Sequence, residues 1–288
     1  MLPKTKSLIE IHIAVLLFGL AGLFGKFVAL PAVLIVLGRV VFATVALCLV
    51  LIFSKQDFRL RTKKDYFSLG LLGLILAIHW TTFFQSVQMS TVAIGLLTFS
   101  TFPVFTTFIE PYVFKEKIKM RDIVTALITL FGVALIIPKF ELGNNVTQGV
   151  IWGIISGFTF AVLSILNRKY VKNYSSLVIA FYQDVVAAIV LLPFLFFTKA
   201  TFNSKDIFLL VLLGVVFTAV SHSLFIKGMT HVKAQLASII ASLEPVYGII
   251  FAIFFLSEIP TLRTITGGAI ILGATFVASN DFFKFRKR

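Results

Sequence analysis

The sequence predicts an all-α polytopic membrane protein, with ten transmembrane helices arranged as two inverted five-helix repeats. Three observations predict it. The 288-residue chain is 59% hydrophobic and only 13% charged, too little polar surface to clothe a water-soluble domain of that size. Apolar runs of about 20 residues, the length that crosses the hydrocarbon layer as a helix, follow one another along it. The basic residues collect in alternate breaks between those runs, as they do in cytoplasmic loops.

Spans are expected at 8–29, 32–53, 66–88, 91–113, 120–138, 148–168, 175–197, 206–229, 234–256 and 261–279. Pro31 and the polar segments 55–65, 88–91, 115–121, 138–147, 168–176, 199–206, 231–233 and 257–260 mark the breaks. Lys4 and Lys6 ahead of an apolar run have the look of a secretory leader, but no polar region with a small-residue cleavage site follows Leu8. An uncleaved first span is expected. Cys48, the single cysteine, cannot form an internal disulfide and lies in an apolar run, where a thiol packs as a small hydrophobe.

The formal net charge of +14 raises the question of a nucleic-acid partner. Such binders gather Lys and Arg on one polar face. Here the bases stand between apolar runs, where anionic lipid headgroups meet them, so the expected partner is the bilayer and not a nucleic acid. One side of a ten-span arrangement holds Lys4 and Lys6, the bases of 55–64, 115–121 and 168–172, Lys227 and Lys233, and the tail 284–288. The other side holds Lys26, Lys139, Lys199, Lys205 and Arg263, and Arg39 falls within a span. This asymmetry places both termini in the cytoplasm of a multi-pass cell-membrane protein.

The segment 139–148, with Gly143, Asn144 and Asn145, divides the chain into repeats at 1–140 and 141–288. A shift of 142 residues superposes Ser100 on Ser242, Pro103 on Pro245, Val104 on Val246, Glu116 on Glu258 and Arg121 on Arg263. Shared Pro, Glu and Arg at fixed separations are hard to obtain by accident in so apolar a chain. Five spans per copy is an odd number, so the two copies must enter the membrane from opposite sides. Inverted repeats recur in secondary transporters, where two opposed packings of similar energy alternate around a site between the halves.

At Phe102-Pro-Val-Phe with Lys115-Glu-Lys, and at Leu243-Glu-Pro-Val-Tyr with Leu256-Ser-Glu, each followed by a Gly-containing apolar span, the chain resembles the EamA-type drug/metabolite transporter superfamily. The resemblance covers essentially the whole chain. That superfamily includes exporters of amino acids, other metabolites and drugs, besides importers, and the expected function here is carriage of small organic metabolites, such as amino acids or amphiphilic compounds, outward and by alternating access. Phe102 stands where the second half has Glu244, a departure that argues against a two-carboxylate coupling scheme.

Polar side chains within spans are costly and usually face the bundle interior, which makes them the candidates for a substrate site. They are Arg39, His79, Gln85, Tyr182, Gln183, His222 and Glu244, with Trp80, Phe83 and Phe84 as aromatic neighbours. His79 and Phe83 share one helix face, and Trp80 and Phe84 the adjoining one. That wall either holds an amphiphilic solute, or His79 bonds a neighbouring helix's carbonyl while the rings meet lipid. In the 142-residue register His222 falls opposite Trp80, on the partner wall or as a packing histidine.

Glu244, beside Pro245, has two readings: titration, amine binding or gating, or a structural pairing with a base such as Arg39. Arg39 would in turn pair structurally or grip an anionic group. Tyr182 and Gln183 point about 100° apart, so at most one is centred on a cavity. Glu116, Glu258, Arg121 and Arg263 fall at membrane edges and are expected to be architectural.

Neither a cofactor nor a metal is expected: the four His are scattered and one Cys is present. With no GxxxxGK[ST] motif, a substrate or proton gradient is left as the driving force. An intramembrane enzyme would need clustered ligands or a nucleophile with its base. A channel would need a continuous polar stripe. The chain shows neither, and nothing in it implies an oligomer.

Overall fold

The computed structural model describes residues 3–114, 120–137 and 141–284. Glu116 and most of the basic tail lie outside the described residues, as do Lys115, Lys117, Lys119 and Lys139. Fifteen α-helices make up the described chain: α1 Pro3–Ala21, α2 Phe24–Phe27, α3 Ala32–Phe53, α4 Lys63–Met89, α5 Val92–Phe99, α6 Phe102–Phe114, α7 Met120–Ile136, α8 Asn145–Tyr170, α9 Ser176–Leu191, α10 Phe194–Phe197, α11 Ser204–Gly214, α12 Ser221–Gly228, α13 Ala234–Ala241, α14 Glu244–Leu256 and α15 Leu262–Lys284. A π-helical turn, Val215–Val220, joins α11 to α12. Among the described residues there is no strand.

Seven helical runs are long and apolar enough to cross a membrane: Pro3–Phe27, Ala32–Phe53, Lys63–Met89, Val92–Val113, Asn145–Tyr170, Ser176–Phe197 and Ser204–Gly228. Three shorter apolar helices, Ile123–Ile136, Glu244–Leu256 and Leu262–Ala274, accompany them among the described residues. Large apolar side chains such as Phe53, Phe196, Phe197 and Phe254 stand on the outside, where a bilayer takes the place of a core.

Several expected spans are broken. The 91–113 run divides into α5 and α6, and the 234–256 run into α13 and α14. Proline explains both breaks. Pro103 and Pro245 are the second residues of α6 and α14; without an N–H, proline costs a continuing helix one of its hydrogen bonds but fits the first turn of a new one. The 142-residue register extends to these boundaries, since α13, α14 and α15 begin that far after α5, α6 and α7.

The main packing runs across the halves. α4 lies on α8 and α9, α1 on α12 and α14, α3 on α9 and α11, and α7 on α15. The core therefore sits at the seam between the two sequence repeats. Small residues allow the closest approach there. A Cβ on Gly19 would stand 2.9 Å from the Glu244 carbonyl oxygen and 3.0 Å from Tyr247 Cβ, and one on Gly248 would stand 2.9 Å from the Gly19 carbonyl oxygen.

Polar ties hold the edges. Lys26 Nζ donates to the Ser90 carbonyl at 2.8 Å, satisfying an orphan acceptor at the end of α4. Lys227 pairs with Glu10 at 3.0 Å, and Arg168 with Glu110. Ser257 adopts left-handed backbone (φ 55°) where α14 stops. The next residue, Glu258, accepts from the Val92 N–H at 2.9 Å and so caps α5 from the other half.

Candidate functional site

Arg39 is buried in the first half of α3. Gly214 lets α11 come close to it, for a Cβ there would stand 2.7 Å from the Arg39 carbonyl oxygen. The π-helical turn that follows then supplies partners. Thr218 Oγ1 donates to the Leu213 carbonyl at 2.8 Å and accepts from Arg39 Nε at 3.0 Å, and the Phe217 carbonyl accepts from Arg39 Nη2 at 3.5 Å. A widened turn presents carbonyls and side chains that a regular helix would keep on its own ladder. The guanidinium carbon lies 3.8 Å from the Trp80 ring centroid and 5.4 Å from that of Phe84. This is cation–π distance in a setting from which water is excluded.

A cavity of about 30 Å³ opens beside this stack. Arg39, His79, Trp80, Phe83 and Glu244 line it, together with Phe18, Ala21, Phe99 and Phe160. Glu244 reaches it as the first residue of α14, directly after the proline-enforced break, and the Gly19–Gly248 approach holds that end of α14 against α1. Arg39 acts electrostatically on Glu244, yet among the described residues they do not approach within 4.0 Å as an ion pair. Both side chains thus face the cavity wall without an ion pair between them.

His79 is anchored. Its Nδ1 lies 3.0 Å from the Ser156 carbonyl and 2.9 Å from Ser156 Oγ, which itself donates to the His79 carbonyl at 3.1 Å. Of the two sequence readings, the bond to a neighbouring helix's carbonyl is present, but the rings beside it are buried and do not meet lipid. Phe99 and Phe160 stack around the imidazole at 5.5 and 5.1 Å. Phe102, the first-half counterpart of Glu244, belongs to the same aromatic cluster, 4.8 Å from Phe99.

His222 meets Trp80 edge to face at 5.4 Å, and neither ring nitrogen has a partner. It does not line the cavity but backs its wall. Tyr182 and Gln183 lie elsewhere: Tyr182 packs on Tyr66 at 5.6 Å, and Gln183 donates to Asn167. Gln85 does not line the cavity either.

Several buried carboxylates within the expected spans escaped the sequence reading, Glu110 and Asp184 among them. Glu110 is paired with Arg168. Asp184, next to Gln183 in α9, is completely buried and neither oxygen has a hydrogen-bond partner. The signal was present in both cases, an acidic residue inside an apolar run, which is the same signal that singled out Glu244.

The profile of the EamA-like transporter family matches residues 5–137 and again 147–280. The chain belongs to the EamA-like transporter family. It is a multi-pass membrane protein of a family of transporters, not an enzyme, and it carries that family's repeat twice. A Bacillus subtilis (strain 168) protein named "Uncharacterized transporter YxxF" is 25% identical over 274 residues, 93% of this chain and 88% of its own length. The S-adenosylmethionine uptake transporter of Rickettsia prowazekii (strain Madrid E) is 28% identical over 207 residues, 71% of this chain and 69% of its own length. A solved crystal structure matches the EamA-like fold with a TM-score of 0.71 at 16% identity, covering 98% of this chain and 99% of the other.

Proposed function

We propose that this EamA-like transporter is a secondary carrier for a small organic solute that joins a cationic centre to an apolar or aromatic part. The observation that carries the reading is the placement of Glu244 and Arg39 on one aromatic-walled cavity at the seam between the repeats. Glu244 suits an ammonium or sulfonium group, Trp80 and Phe83 suit a ring or chain, and Arg39 suits a carboxylate. S-adenosylmethionine, the solute in the names of the Rickettsia relatives, combines all three features. Amino acids and amphiphilic amines share two of them.

The halves act as repeats 1–140 and 141–288, inverted with respect to each other, with ten crossings and both termini on the cytoplasmic side of the cell membrane. The cavity of about 30 Å³ has room for water rather than an organic solute, whose sites run to about 300 Å³ or more. Alternating access would widen it by rocking one half against the other.

Counterflow in proteoliposomes, preloaded with S-adenosylmethionine, amino acids, amines or amphiphilic drugs, tests this. Saturable exchange of one solute class, lost in Trp80→Ala and weakened in Glu244→Gln, is the expected result. Failure of folded wild type to exchange any of them would sink the reading. The same vesicles, loaded inside or out, separate the outward movement expected from sequence from the uptake in the Rickettsia names.

A further inference from the structure

A larger cavity lies apart from the solute site, and no residue lines both. It has a volume of about 580 Å³ and runs between α3, the start of α9, and α12 with the π-helical turn before it. Its walls are apolar, with Ala46, Leu47 and Val50 on α3 facing Val215, Ala219 and Leu224. Val50 and Val220, which also line it, are each 46% exposed. The crevice is therefore open sideways, on the outer surface that a bilayer covers.

Along α12 the lining changes character in a fixed order. Val220, Ser223, Leu224 and Lys227 are spaced three, four and seven apart and share one helix face. Ser223 is 7% exposed, and its Oγ has no hydrogen-bond partner. A buried hydroxyl in that state is costly, and an acceptor on a ligand removes the cost. Lys227 stands one turn, about 6 Å, further along. Its side chain is 51% exposed, and Glu10 at 3.0 Å engages one of the three ammonium donors. From Val220 to Lys227 the face spans about 10 Å, within the depth of about 15 Å of one hydrocarbon leaflet.

The polar end is tied together and basic. Ser175 Oγ donates to Gln56 at 3.2 Å, and both line the crevice. The nearby carboxylates are engaged, Asp65 by Tyr174 and Asp57 by the Arg59 N–H. Exposed Lys55 and Lys172 adjoin the lining residues Gln56 and Val171 in the chain.

We propose that this crevice binds an anionic phospholipid taken sideways from the adjoining leaflet. An acyl chain lies between α3 and α12, a glycerol-ester carbonyl accepts from Ser223 Oγ, and the phosphate meets Lys227. Hydrocarbon, hydroxyl and ammonium thus follow one another along α12 in the order of tail, ester and headgroup. Basic pockets between membrane helices hold anionic headgroups by the same chemistry. The solute cavity presents Glu244 and suits a cation, whereas Lys227 is the charged residue lining this crevice and suits an anion. The acyl chain rests on Val215 and Ala219 of the π-helical turn, whose Phe217 carbonyl and Thr218 hold Arg39. An occupied crevice braces the turn that positions Arg39, and the lipid site stands whether or not the carrier reading does.

Native mass spectrometry of the full chain, with phosphatidylglycerol or phosphatidylcholine of equal chain length added in detergent, tests the site. Wild type should retain one phosphatidylglycerol about fivefold more tightly than phosphatidylcholine, the effect of one lysine beside an anionic lipid. Lys227→Gln should lose the preference, and Glu10→Gln, which breaks the same ion pair but leaves the cation, should keep it. Val50→Trp fills the mouth from an exposed position and should release the lipid. Equal retention of the two lipids by wild type, a preference that survives Lys227→Gln, or lipid kept by Val50→Trp would overturn the proposal. Displacement of the lipid by glycerol phosphate would assign the site to a free phosphate ester, and displacement by S-adenosylmethionine would make it part of the solute route; either result overturns it. A phosphatidylglycerol with a diazirine in its chain needs no substitution: wild type should be labelled at 46–50 and 219–224, and labelling confined to other segments refutes the placement.

Discussion

Arg39 and Trp80 are stacked, with the guanidinium carbon 3.8 Å from the indole centroid. They come from α3 and α4, and the contact decides what each can do. The indole fixes one face of the guanidinium, Thr218 takes Nε, and the Phe217 carbonyl takes Nη2.

Replacing Arg39 with Lys keeps the charge but loses the planar stack and the Nε bond. We expect a loss of about 2.5–3.5 kcal/mol, the worth of one hydrogen bond plus a desolvated cation–π contact. Thermal melting of purified protein in detergent checks this. A melting point equal to that of wild type would show that the stack does not contribute.

The approach of α1 to α14 depends on the absence of side chains. Gly19→Val would drive its Cβ into the Glu244 carbonyl and Tyr247, an overpacking cost of about 1–3 kcal/mol that also displaces Glu244 from the cavity. Gly143→Ala, where no atom lies within 4 Å, serves as the control. The first should lower both melting temperature and exchange, and the second neither. Equal effects from both would remove the seam contact from the account.

Glu258 acts at a distance from the cavity. Glu258→Gln keeps the side chain's size but removes the charge that faces the first N–H groups of α5. A loss of about 0.5–1 kcal/mol is expected, and it should shrink in high salt as helix-terminus electrostatics do. Melting at two salt concentrations would decide it, since a salt-independent loss points to geometry instead.

At the base-rich edge, the Tyr174 hydroxyl donates to Asp65 at 2.7 Å and accepts from the Arg61 N–H at 3.0 Å. Burial and then the bond to Asp65 hold the phenol above the usual tyrosine range. A group whose folded pKa is raised stabilises below its unfolded value and loses that contribution as pH climbs through the folded one. The tie between 61–65 and 174 should therefore be intact at neutral pH and fail only above about pH 10. Tyr174→Phe should abolish this alkaline step in a melting-temperature profile, and a step that persists in the variant would refute the assignment.

Much of the fold was legible in order along the chain. Apolar length and the Ser100/Ser242 and Pro103/Pro245 pairs are one-dimensional facts, because hydrocarbon thickness and proline chemistry act on each segment separately. Arg39, His79, Trp80, Phe83 and Glu244 could be picked out for a similar reason: a polar group in a span must be satisfied within the protein. Asp184 carried the same signal, a charge inside an apolar run, and was passed over beside Gln183, and the Glu110–Arg168 pair likewise.

What the sequence by itself determined was that this chain crosses a membrane many times as a duplicated helical unit with a few costly polar groups inside it. Only the tertiary structure decided which of them meet. Helix rotation, the close approach at Gly19 and Gly248, and the π-helical turn at Val215–Val220 depend on partners far away in sequence. They put Arg39, Trp80 and Glu244 around one cavity, tied His79 to Ser156, and left Tyr182 and Gln183 elsewhere. In a chain this apolar, hydrophobicity specifies the bilayer but says little about which helix faces which. Small residues, backbone irregularities and buried charge make that choice, and their effect exists only once the helices are packed.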